Sequence, residues 1–115
     1  MYQQLRGDYT DAKQRLMNDG MITRFVLKFP SDPSMQLLRE SVAKGDIETS
    51  FRAVHTLKSV AGVLGFTPLY EAAVNLTEQL RPRLEQANRG LLSIVEERYV
   101  ETMAIVSKFA EEQPK

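Results

Sequence analysis

The sequence predicts an all-α fold, an up-down four-helix bundle with an additional short N-terminal helix. Three observations carry that expectation. Strict apolar/polar alternation, the mark of half-buried strands, is nearly absent, whereas apolar residues recur three and four apart from the first turn to the last. The periodic segments are joined by short connections rich in Gly, Pro and Asp, so consecutive helices must run antiparallel. A chain of 115 residues, 43% hydrophobic and 26% charged, can bury one core without a staple.

The first segment, about residues 9–17, follows Asp8 as N-cap and is expected to stop at Asn18-Asp19-Gly20. The second places Ile22, Phe25, Val26 and Phe29 on one inward face and ends at Pro30. In the third, Asp32 is the expected N-cap and Pro33 the first helical residue, and Lys44-Gly45 closes it with a cation and a left-handed glycine. Asp46 then caps a fourth segment, Ile47 to Leu64, whose stripe is Ile47, Phe51, Val54, Leu57, Ala61 and Leu64, with Gly65 as the stop. Thr67-Pro68 opens the fifth, and its stripe of Leu69, Ala73, Leu76, Leu80 and Leu84 passes through Pro82, where the helix should kink or break. Irregular chain is expected from there to Gly90. The last segment aligns Leu92, Val95, Tyr99, Met103, Val106 and Phe109 over about five turns.

Composition excludes several function classes. Lys plus Arg and Asp plus Glu number 15 each, which removes the bulk electrostatic argument for nucleic acid or an anionic membrane. With no cysteine there is no disulfide framework, thiolate nucleophile or zinc thiolate cluster, consistent with a reducing, cytoplasmic setting. The N-terminal MYQQLRGDY is too polar for a signal peptide, and no apolar run approaches the roughly 20 residues of a membrane span. No P-loop, glycine-rich nucleotide fingerprint or nucleophile elbow is present, so the chain has no visible ATP site.

The chemistry concentrates around one residue. His55, the only histidine, shares a helix face with Arg52, Lys58, Ser59 and Gly62, while Val54 and Leu57 point to the core. A neutral imidazole is a nucleophile at physiological pH, and a cation one turn away can hold the oxygens of a transferring phosphoryl group. Ser59, Ala61, Gly62 and Gly65 thin the helix surface beyond it, and a glycine inside a helix costs roughly 1 kcal/mol against alanine. Gly62, about 10.5 Å along the axis from His55, would open a flat where another backbone can approach.

The stretch AVHTLKSVAGVLGF, an H-x-L-K followed by small residues and a glycine ten positions after the histidine, resembles the histidine-containing phosphotransfer (HPt) domain family. The resemblance extends through the later leucine and alanine stripe and the helix order, from about Leu5 to Ala110, so residues 1–115 are expected to form a single HPt-like domain with its core at about 5–110. It implies a four-helix bundle whose exposed His55 accepts a phosphoryl group from a receiver-domain aspartate and passes it to another receiver. Lys58 would steady the phosphoryl oxygens, and Gly62 matches the small position that lets the receiver come close. Receivers of response regulators or hybrid histidine kinases would be the partners, with Arg52, Ser59 and Gly62 at the contact. No cofactor or metal is expected in the chain, and any magnesium would be held by the receiver. Such domains commonly carry glycine and then serine directly after the lysine, where this chain has Ser59 and Val60.

The chain is thus expected to be a phosphocarrier intermediate and no enzyme in its own right, free-standing or part of a hybrid histidine kinase, and a monomer. It is expected to touch neither nucleic acid nor membrane. The alternative is a non-catalytic helical module that binds or sequesters a receiver without transfer. An enzyme using His55 as general base is disfavoured, because the sequence names no second polar catalytic group and no concave pocket. Gly65 reads as a helix C-cap, the methionines and the aromatic set Phe25, Phe29 and Phe51 as core, and the pairs Glu96-Glu97 and Glu111-Glu112 as the outer face of the last helix.

Overall fold

A computed structural model describes residues 19–112, with side chains from Thr23 onward. The helix expected over residues 9–17 lies outside the described residues. Five α-helices follow: α1 (Asp19–Lys28), α2 (Ser34–Lys44), α3 (Ile47–Leu64), α4 (Thr67–Leu80) and α5 (Arg89–Glu111), with a 3-10 turn at Phe29–Ser31. No strand occurs among the described residues. The two-residue connections Gly45-Asp46 and Gly65-Phe66 fold α2, α3 and α4 back on one another. As a result α3 packs against both α2 and α4, α5 packs against α4, and α1 touches α3 and α5.

The helix ends show why these residues stop and start where they do. Asp46 accepts a hydrogen bond from the Thr49 backbone N–H at 3.0 Å and one from the Thr49 hydroxyl at 2.7 Å, which satisfies an otherwise orphaned donor at the start of α3. Gly45 and Gly65 both adopt left-handed backbone, at φ +71° and +74°, where a side chain would be strained. Each makes the paired return hydrogen bonds of a helix stop: the N–H groups of Asp46 and Phe66 reach Ser41 and Ala61 carbonyls at 2.9 Å. Asp32 still caps α2, since its carboxylate accepts from the Ser34 N–H at 2.9 Å, although the helix proper begins after Pro33.

The Thr49 hydroxyl and N–H hold the Asp46 carboxyl below its usual range. Its folded value is depressed, so its contribution is complete above about pH 4 and fades as pH falls through the folded value. Asp46→Ala is therefore less stable than the unaltered chain at neutral pH, and the gap between their denaturation midpoints narrows on acidification below about pH 4. A gap of constant size from pH 7 to pH 2 contradicts this role.

The core holds Val26, Phe29, Val54, Leu57 and Leu76 among its fully buried members, as the stripes predict, together with Met35. Phe29 meets Phe66 edge-on at 5.1 Å and Tyr99 at 5.8 Å, which ties the turn after α1 to α4 and α5. Arg39 of α2 makes a two-pronged pair with Glu96 of α5, both bonds 2.8 Å, and lies 5.3 Å from the Tyr99 ring. This closes the bundle between its first and last long helices.

Four expectations need correction. Asp19 and Gly20, expected as part of a stop, are helical residues of α1, since one helical glycine costs only about 1 kcal/mol. Phe25 is 42% exposed: α1 and the turn after it meet the bundle through Val26 and Phe29, and Phe25 falls at the edge of that arc with Lys28 at 6.0 Å from its ring. Leu84 is 83% exposed, because α4 ends at Leu80 before Pro82, and without continuing helix the i,i+4 spacing no longer stacks Leu84 on Leu80. Glu96 faces α2 through Arg39 and is not on the outer face. The irregular chain after Pro82 is observed, and α5 starts at Arg89, where Asn88 accepts from the Leu91 N–H at 3.0 Å.

Candidate functional site

Helix α3 carries two faces. Its inner stripe of Phe51, Val54, Leu57, Ala61 and Leu64 is buried, so the bundle fixes the rotation of the helix about its axis. That rotation leaves His55 exposed near the middle of the helix, with Arg52 exposed one turn before it and Ser59 exposed one turn after. Lys58 and Gly62 are half-buried on the same side, and Val60 packs against the core edge. The five residues expected to form the site therefore do share one accessible face.

Each has definite surroundings. The imidazole lies against the Phe51 ring, centroids 5.8 Å apart and planes inclined at 38°. Ser59 donates its hydroxyl to the His55 carbonyl at 3.2 Å, so its proton is engaged by the helix backbone. Arg52 pairs with Glu48 at 3.5 Å, an exposed pair of little energetic weight. Lys58 sits close enough to Glu78 of α4 that its charge helps lower the Glu78 carboxyl, behind the larger effect of the Arg81 hydrogen bonds. The ammonium therefore lies on the flank of the site nearest α4.

The turn after α4 adds two cations that no spacing in α3 foretold. Arg81 makes a two-pronged pair with Glu78, at 2.8 and 3.0 Å, which raises the already high guanidinium value, and lies 5.6 Å from the Phe51 ring. Arg83 sits 3.6 Å over the same ring and pairs with Glu48 at 3.0 Å. Arg52, Lys58, Arg81 and Arg83 thus gather around the histidine face against Glu48 and Glu78, an excess of positive charge suited to an anionic partner. The only sequence signal was the basic pair flanking Pro82, and a proline break is what lets both arginines turn back toward α3.

A groove of about 380 Å³ between α1 and α3 starts at Ser59 and is lined by Phe25, Phe29, Val60 and Val63. The sequence had named no concave pocket. Its lining is mostly apolar, with Lys28, Asp32 and Ser59 as the polar members, and His55 does not line it.

Among the described residues, no helix is long and apolar enough to cross a membrane. The family model described as Hpt domain matches residues 26–105, a span that runs from α1 into α5 and contains the whole site. Neither the search of curated proteins nor that of solved structures returned a match.

Proposed function

Since the chain belongs to the Hpt domain family, whose members serve histidine phosphotransfer in two-component signalling, we propose that His55 is the acceptor of a phosphorelay carrier. The observation that supports this most is the exposure of the one histidine on a face that the core fixes, with a lysine one turn away. In this reading the unprotonated ring nitrogen attacks the phosphorus of an aspartyl phosphate in a docked receiver. The N–P bond forms as the P–O bond to the aspartate breaks, and the aspartate leaves as a carboxylate. The proton on the other ring nitrogen stays in place, and the electron-poor ring is then a good leaving group for transfer to a second receiver. Attack and departure are in line, so the protein's part is positioning and charge.

Lys58 offsets charge on the equatorial oxygens in this scheme, while Arg52, Ser59 and Gly62 meet the receiver. The carrier needs no resident cofactor, because any magnesium belongs to the receiver. It acts as a monomer that docks transiently, in the cytoplasm, with response regulators or hybrid kinases as partners. Lys58→Ala slows transfer by about 10- to 100-fold, below the roughly 100- to 1,000-fold of a lost oxyanion-hole donor because the half-buried ammonium is partly screened by water, and changes receiver affinity far less. Rapid-quench transfer rates and an independent binding titration check this.

The direct test mixes the purified chain with radiolabelled phospho-receivers and looks for acid-labile, base-stable label. Label on His55 supports the carrier. If no receiver tried transfers label, the reading fails.

A further inference from the structure

Arg83 is built into the site more firmly than a surface arginine needs to be. Its backbone sits at φ +57°, the one left-handed non-glycine among the described residues. Side chains avoid this region, and where it persists the surroundings hold it in place. Here three contacts do so: Glu48 at 3.0 Å, the Arg81 carbonyl at 2.6 Å, and the Phe51 ring, whose centroid lies 3.6 Å from the guanidinium carbon. That last distance places the guanidinium directly over the ring face, where a planar cation can stack and an ammonium has no plane to stack. Phe51 in turn abuts the His55 imidazole.

We propose that Arg83 is a positioning residue for His55 that acts through Phe51. The guanidinium plate fixes the tilt of the phenyl ring, and the ring limits rotation of the exposed imidazole, so that the attacking nitrogen stays aimed at an incoming phosphorus. The imidazole is exposed on helix α3, and its ring contact is with Phe51. Misplacement of a nucleophile by even 1 Å can cost about 100-fold in rate, so a modest loosening has a measurable effect. The inference rests on the reading of His55 as phosphoryl acceptor.

The test compares Arg83→Ala, Arg83→Lys and Phe51→Leu in the full chain, with thermal melts to verify folding. Arg83→Ala slows transfer from a phospho-receiver about 3- to 10-fold, and receiver affinity stays within about twofold. Arg83→Lys behaves like Arg83→Ala, because it keeps the charge and loses the flat stack. The chain has a single histidine, so one set of imidazole proton resonances reports directly on ring placement. Those resonances shift in both Arg83 variants, and in Phe51→Leu as the ring current disappears. An Arg83→Lys rate equal to the unaltered chain's, with Arg83→Ala slow, would mean charge steering and overturn the proposal. Unchanged imidazole resonances and rates in both Arg83 variants overturn it as well, with the acceptor role intact. An unaltered chain that takes label from no receiver removes the acceptor reading itself, and this one with it.

Discussion

His55→Gln is expected to carry no phosphoryl label from any receiver that labels the unaltered chain, while it still binds that receiver. The glutamine keeps a polar side chain of similar reach, but its amide nitrogen shares its lone pair with the carbonyl and is not a nucleophile. The residue is exposed, and its ring touches Phe51 at the edge of the core, so fold and docking should survive. Transfer should drop to the background of the assay, and a titration with receiver should give a dissociation constant within about threefold of the original. The same variant distinguishes the carrier from a module that only binds or sequesters a receiver. If signalling through this chain is unaffected by His55→Gln, sequestration is the function and transfer is not.

Leu57→Ala is expected to be the most damaging single change to the fold near the site. Leu57 is fully buried on the inner face of α3, between the two residues that carry the chemistry. Truncating a buried leucine costs about 2–5 kcal/mol, the transfer energy of the lost carbons together with the cavity they leave. In a domain of this size each kilocalorie lowers the melting temperature by roughly 4 °C or more, so a fall of at least about 8 °C is predicted. Thermal and urea denaturation check it. A loss below about 1 kcal/mol would mean that neighbouring side chains collapse into the space, and that α3 is held less rigidly than its burial indicates.

Helix α3 was legible in the sequence to its last residue because both ends are marked by chemistry that acts within a few positions. Asp46 reaches the N–H of Thr49, and Gly65 can take the left-handed turn. The start of α5 was less legible, since its cap, Asn88, stands in a polar run where nothing sets it apart, and Gly90 two residues later looks like a break. Phe25 and Leu84 were misplaced for a common reason. Periodicity says which residues share a face, but burial also requires a neighbour opposite that face and a helix that continues to it. Glu96 faces α2 for a reason that local spacing does not carry, since its partner, Arg39, is 57 residues away in sequence.

The sequence by itself determined the all-α class, the bounds of α3 and the sharing of one face by His55, Lys58, Ser59 and Gly62. All of these follow from hydrogen bonds and side-chain spacing within one or two helical turns. Only the tertiary structure decided that α4 and its proline-broken end bring Glu78, Arg81 and Arg83 beside that face, that a groove opens next to Ser59, and that Arg83 lies on the Phe51 ring beside His55. Those placements depend on how two helices cross and where the chain turns after Leu80, which is set by packing across the whole core.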